Sequence, residues 1–338
     1  MSEGPDAARA PRELRHWHPV LHERDLGTRP KSVMLHGIEL VLFRTGRPDR
    51  PIAALGNICP HRRARLSDGW VEDGRVVCPY HGFRFAADGC GASDGTPRLR
   101  LDARAFEVKV AWRAIWVRAR GPGDPDDVPL PALGRPGYRH FGTLVHDIDS
   151  PLEPLLDNFS EVEHTPTTHA LFGYRRDALA DLEVEVTSGD DWVRVENRGP
   201  QKPIPALVER MFGVRTGDTF IDDWTVRFSP VHVVYDQWWR DRTTGEPRAD
   251  RLPLGVFFSP IDRDETRMVT VITSNRAPGR LDPIVTPIMM GIVDREVRLD
   301  RARVEALADK RPDLRGTRLG RFDGALRELR KRIDNLYR

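Results

Sequence analysis

The pattern of apolar and polar positions changes character twice along the chain. From Lys31 to Phe85, short apolar runs such as SVMLHGIELVLFR, PIAALGNIC and GRVVCPYHGFRF are punctuated by Gly, Pro and Asp, which predicts brief strands joined by turns. FEVKVAWRAIWVRA adds a strand pair that ends near Arg120. The following GPGDPDDVPLPALGRPG is too dense in Pro, Gly and Asp for helix or sheet and predicts a junction over residues 123–137. Beyond it, strand-like YRHFGTLVHDI leads into SPLEPLLDNFSEVEH, whose leucines recur at helical spacing after a Ser-Pro start. LEVEVTSGDDWVRVEN, DTFIDDWTVRFSPVHVVYDQWW, PLGVFFSPID and TRMVTVITSN then alternate with period two, as antiparallel strands with one buried face do. Charge-rich helical sequence follows from Asp282. The class read from this order is α+β: a polar, disordered start (1–13), an all-β unit (14–122) and an α+β unit (138–338) with a large antiparallel sheet flanked by helices.

Composition narrows the function classes. At 338 residues there is length for two cores. Lys and Arg total 53 against 51 Asp and Glu, so the net charge of +2 offers no electrostatic reason for a nucleic-acid partner. Three cysteines cannot build a disulfide framework, and no apolar leader follows the start, so a cytoplasmic location is expected. The most apolar windows, such as VAWRAIWV, are too short for a membrane span and include Arg113. No G-x-G-x-x-G follows a strand, so no bound nicotinamide or flavin is expected.

Two of the three cysteines fall in NICPHRRARLSDGWVEDGRVVCPYHGF. Cys59-x-His61 and Cys78-x-x-His81 are two ligand pairs on turns shaped by Pro60, Pro79 and Gly82. Two thiolates and two imidazoles can hold either one zinc ion or a [2Fe–2S] cluster with Cys on one iron and His on the other. Zinc fingers usually group Cys with Cys and His with His, whereas here each loop carries one of each, so one loop can reach both irons. This CPH and CPYHG arrangement closely resembles the Rieske family, although Phe83 stands where that family usually has Trp. Arg62 and the turn amides are candidate donors to cluster sulfurs, and Cys90 reads as a small core or loop residue.

A second cluster lies in LLDNFSEVEHTPTTHALFG. Spacings of four and three put Asp157, Glu161 and His164 along one face of the helix, so that they point together. His169 can join His164 on one metal only if the helix bends or ends between them, for which Pro166 supplies a reason. The string resembles the iron motif of Rieske non-haem iron oxygenases. That resemblance implies His164, His169 and a downstream carboxylate as a facial triad on Fe(II). Asp294 is the choice in IMMGIVDREVRLD, with Glu296 and Asp300 as alternatives. It further implies roles for Asp157, Asn158 and Glu161 at the site, with Glu161 where the family has an Asp that links the two metal sites between subunits. The implied enzyme hydroxylates or demethylates an aromatic, heterocyclic or polycyclic small molecule with O₂. Its electrons come from a separate ferredoxin or NAD(P)H-dependent reductase, and the implied assembly is a homotrimer. The implied catalytic fold is helix-grip, START-like. Expected pocket residues are Leu156, Phe159, Phe172, His232, Tyr235, Trp238, Phe257, Ile288 and Met289. The competing readings are a Rieske-type electron carrier and a zinc-stabilised binding module.

Overall fold

A computed structural model describes residues 12–119, 137–171, 173–249, 251–275, 279 and 282–337. The expected polar start (1–13) lies outside these residues except for Arg12 and Glu13, and the expected junction (123–137) except for Gly137. The chain forms two compact units, Met1–Pro129 with Ser259–Arg263, and Leu130–Phe258 with Asp264–Arg338.

The first unit is built from β1 (His18–His22), β2 (Lys31–Leu35), β3 (Ile38–Arg44), β4 (Ile52–Gly56), β5 (Trp70–Glu72), β6 (Arg75–Val77), β7 (Arg84–Phe85), β8 (Cys90–Ala92), β9 (Leu101–Asp102), β10 (Ala105–Ala111) and β11 (Ala114–Ala119). They form a sheet of order β1-β11-β10-β4-β3-β2 and a second of order β5-β6-β7-β8-β9. The unbroken run Leu40-Val41-Leu42-Phe43 is apolar because both its faces are covered. Leu40 and Leu42 enter one apolar cluster, and Val41 and Phe43 enter another that contains Cys59 and Cys78. Asp73–Gly74 joins β5 to β6 with φ of 49° and 72°, the left-handed geometry of a tight hairpin turn, and so aims β6 at Cys78.

The second unit runs β12 (Arg139–Ile148), α1 (Leu152–Asn158), α2 (Thr165–Thr168), β13 (Glu183–Ser188), β14 (Trp192–Pro200), α3 (Ala206–Phe212), β15 (Thr219–Phe228), β16 (Val231–Arg240), β17 (Leu252–Pro260), β18 (Thr266–Ser274), α4 (Asp282–Glu305) and α5 (Leu326–Tyr337). The strands form one seven-stranded antiparallel sheet of order β12-β18-β17-β16-β15-β14-β13. One face of it, with Phe220, Trp224, Tyr235, Trp239, Val256 and Phe258, packs in a single core with Leu155 of α1, Val297 of α4 and Leu329 of α5. The α+β class read from the alternation is what the chain adopts.

One local expectation fails. The helix that begins at Leu152 ends at Asn158 instead of running through His164. Ser160 Oγ donates to the Leu156 carbonyl at 2.7 Å while the Ser160 amide turns to the Asp157 carbonyl at 2.9 Å. The hydroxyl thus takes the acceptor that the next helical amide would have used, a known competition between Ser and helix continuation.

Candidate metal centres and the cavity beside them

The two Cys/His loops arrange their donors by chemistry. Cys59 and Cys78 are buried, while His61 and His81 lie on the exposed side with ring centroids 4.5 Å apart. Backbone bonds hold each turn: Arg63 N to the Cys59 carbonyl at 2.9 Å, and Gly82 N to the Cys78 carbonyl at 3.1 Å, with Gly82 at a φ of 68° that suits glycine. Burial pushes the Cys59 thiol up to about 11, and the neighbouring Cys78 adds to this, while the His61 and Arg62 amides aimed at it oppose the shift. Such a thiol pair becomes thiolate when a metal takes the place of its protons. Two thiols inside and two imidazoles outside fit a dinuclear cluster with one iron held by each kind of donor. The Arg62 guanidinium lies over the Tyr80 ring at 5.3 Å, so from this residue it is the backbone that serves the sulfur. Phe83 is buried, with its ring centroid 4.8 Å from that of His61. Cys90 is exposed.

In the second unit, α2 is a single turn with His164 immediately before it and His169 immediately after it. That one turn, with Pro166 in its first positions, converts a separation of five residues into facing rings. His164 Nε2 and His169 Nε2 are 3.2 Å apart, and Asp300 Oδ1 is 3.3 Å from each. Among the described residues these three form the one group spaced to share a metal ion. The expected carboxylate, Asp294, is not part of it. Asp294 Oδ1 lies 2.8 Å from His146 Nε2 and Asp294 Oδ2 accepts from Arg298 at 2.8 Å. Six residues along α4 amount to about 600°, which turns Asp294 about 120° away from Asp300 around the axis. Asp300, held as an alternative, takes the position instead, and Asn158 Nδ2 donates to its Oδ1 at 3.1 Å.

Each imidazole has a glutamate at its other nitrogen. Glu161 accepts from His164 Nδ1, and Glu296 Oε2 lies 3.1 Å from His169 Nδ1. Glu296 also accepts from the Ala170 amide at 3.2 Å, and Lys202 Nζ donates to the His169 carbonyl at 2.7 Å. Burial works against a charged imidazole at either position, yet the hydrogen-bonding carboxylates outweigh it and both histidines are raised from their ordinary value. The cluster therefore favours positive charge between the Nε2 atoms, and a divalent cation supplies that charge. Two imidazoles and one carboxylate fit Fe(II) with coordination positions left open. Because the outer carboxylates orient the rings, Glu161→Ala is expected to weaken iron binding about 10- to 100-fold while leaving the visible spectrum of the cluster unchanged. Iron titration checks this.

Asp157 does not join the triad. It pairs with Arg330 of α5, and burial lifts its carboxyl from 3.8 to about 7 against the pull of that arginine. Because its folded-state value is raised, the folded chain holds the proton between pH 3.8 and about 7 and the unfolded chain does not, so stability falls as pH rises through that window. Asp157→Asn is expected to flatten the pH dependence of the melting temperature over the same range.

A cavity of about 130 Å³ opens beside the histidines, lined by Phe159, Tyr235 and all three triad residues. The other expected lining residues fall elsewhere. Period-two alternation carries Tyr235 toward the cavity and His232 and Trp238 to the opposite face of β16. There His232 stacks on Phe257 at 4.9 Å, and Trp238 lies between Arg240 and Arg251. Leu156 and Met289 are buried in the core, and Ile288 is 47% exposed. Phe172 lies outside the described residues. Missed on the sequence were Asp222, Gln237 and Trp224, which share the face of Phe220 and Tyr235. Their even spacing along DTFIDDWTV and VVYDQWW was the available signal.

Residues 16–103 match the Rieske [2Fe–2S] domain family. The chain is 32% identical over 231 residues to the oxygenase component of dicamba O-demethylase from Stenotrophomonas maltophilia, covering 64% of this chain and 65% of that protein. It is 37% identical over 212 residues to a 4β-methylsterol monooxygenase of Methylococcus capsulatus, covering 57% and 54%. The match thus spans less than two thirds of the length of these relatives. A crystal structure of dicamba monooxygenase bound to 3,6-dichlorosalicylic acid has the same fold, with a TM-score of 0.81 over 97% of this chain and 98% of that one at 23% identity.

Proposed function

We infer that this chain is a Rieske non-haem iron oxygenase, the oxygenase component of a multicomponent system; the matched Rieske domain and the shared fold support this reading. It uses O₂ to hydroxylate or demethylate an aromatic, heterocyclic or polycyclic small molecule. The observation that carries this reading is the triangle of His164 Nε2, His169 Nε2 and Asp300 Oδ1, with sides of 3.2, 3.3 and 3.3 Å, at the wall of a cavity. An electron carrier alone has no use for a second metal site beside a cavity.

When bound, the [2Fe–2S] cluster supplies single electrons and the mononuclear iron supplies dioxygen activation. Cys59, Cys78, His61 and His81 would hold the former, and His164, His169 and Asp300 the latter. Glu161 keeps the His164 Nδ1 proton in place and so fixes Nε2 as the metal-facing atom. Lys202 anchors the backbone at His169, and Asn158 orients the Asp300 carboxylate. The Tyr235 hydroxyl is held by the Phe159 carbonyl at 2.7 Å, so this ring forms a fixed wall rather than a mobile one. Phe220, Trp224, Leu254 and Val256 make most of the remaining wall apolar, which excludes water and suits a ring-bearing substrate.

Electrons come from a separate ferredoxin or NAD(P)H-dependent reductase, since the sequence carries no dinucleotide fingerprint. The homotrimer and the electron route through Glu161 to a neighbouring subunit rest on the resemblance. Glu has one methylene more than the family's Asp and alters that reach. A cytoplasmic location agrees with the three-cysteine composition, and no helix among the described residues is long and apolar enough to cross a membrane. The test is turnover of a panel of methoxy-aromatic and heterocyclic compounds with a supplied reductase. Product is expected only with both dioxygen and reductase present, and none from His164→Ala. Undiminished activity in that variant leaves the electron-carrier reading.

A further inference from the structure

The cavity wall formed by β15 and β16 contains a carboxylate that the metal site does not use. Asp222 stands between Phe220 and Trp224 on the core face of β15, is 6% exposed and lines the cavity. Gln237 faces it directly across the strand pair and donates Nε2 to Asp222 Oδ1 at 3.0 Å. No donor among the described residues reaches the other carboxylate oxygen.

A purely structural acid looks different just before the same strand. Asp218, fully buried, has both oxygens occupied: Oδ1 accepts from Arg248 at 2.9 Å and from the Arg242 amide at 3.3 Å, and Oδ2 accepts from the Arg215 amide at 2.8 Å. Buried polar atoms are nearly always satisfied in this way. At the cavity wall Asp222 keeps one oxygen without a donor among the described residues, and Glu296 shares this property at its buried Oε1. The remaining acids of the lining serve the triad: Glu161 at His164, Glu296 through Oε2 at His169, and Asp300 at both histidines and Asn158. No Lys or Arg is among the lining residues described, so away from the histidine triad no cationic side chain meets an anionic ligand.

We propose that Asp222, positioned by Gln237, selects substrates that bring an amine or N–H donor into the cavity and excludes aromatic acids, a specificity unlike that of the relative solved with 3,6-dichlorosalicylic acid. Gln237 occupies Oδ1 alone, which leaves the other oxygen of Asp222 to accept from a ligand. The inference rests on the oxygenase reading for the identity of the cavity, and names the substrate class for it.

The test is binding, not turnover, on the iron-loaded protein held anaerobically without reductase. 4-Methoxybenzylamine and 4-methoxybenzoate are titrated by calorimetry into the wild type and into Asp222→Asn. The amine is expected to bind about tenfold tighter than the acid, or more, since a charged hydrogen bond is gained on one side and an unpaired anion on the other. Asp222→Asn is expected to bring the two within about threefold, at a melting temperature that confirms folding. Equal or tighter binding of the acid by the wild type overturns the proposal. So does an amine with no measurable binding, or a preference that survives in the folded variant. Lost selectivity with reductase-dependent turnover intact removes this inference alone, whereas kept selectivity with no turnover of any panel compound removes the oxygenase reading alone.

Discussion

Asp300→Ala is expected to lower bound iron from about three atoms per chain to about two, and turnover by more than about a hundredfold, while the cluster spectrum stays as in the wild type. The size follows from position. Loss of an outer partner of a metal ligand costs about 10- to 100-fold, and Asp300 Oδ1 is one of the three donor atoms themselves. Asp294→Ala is the paired control. Its carboxylate serves His146 and Arg298, so iron content and turnover are expected to stay near those of the wild type. Iron analysis of the two variants side by side decides between these carboxylates. Iron loss in Asp294→Ala with none in Asp300→Ala would reverse the assignment.

Cys78→Ala is expected to remove acid-labile sulfide and visible colour entirely and to leave about one iron per chain. Cys78 is buried in the same apolar cluster as Cys59, so neither water nor a neighbouring side chain offers the inner iron a substitute anion. The mononuclear site belongs to the other compact unit, and its iron is expected to remain. Reductase-driven turnover then falls to background because the electron relay is gone, although calorimetric substrate binding persists. Retention of sulfide in this variant would show that the CPH and CPYHG loops hold something other than a [2Fe–2S] cluster.

Some of this was legible in the sequence because it is local. A ligand pair set two or three residues apart on a Pro- and Gly-shaped turn presents its donors wherever the turn is placed, so Cys59, His61, Cys78 and His81 could be named from the string. The same holds for His164 and His169, which bracket one helical turn. Strand alternation was equally readable, and stricter use of it would have separated Tyr235 from His232 and Trp238, since one strand cannot send odd and even positions to one face. The helix expected through Glu161 failed on a single hydroxyl, that of Ser160, which competes for a backbone acceptor in a way composition does not announce.

Distant pairings depended on more than the order of residues. Asp294, Glu296 and Asp300 were equivalent as letters on one helix, and the rotation of α4 against α2 and the sheet brings Asp300 to the two imidazoles. Asp222 meets Gln237 because β15 and β16 align at that register, and Asp157 meets Arg330 because α5, packed against β15, carries that side chain within reach of α1. The chain dictates which donors exist and which face of an element each occupies, through steric and hydrogen-bonding rules a few residues in range. Which of those faces come together is set by burying apolar surface across the whole unit, an energy that no short segment carries alone.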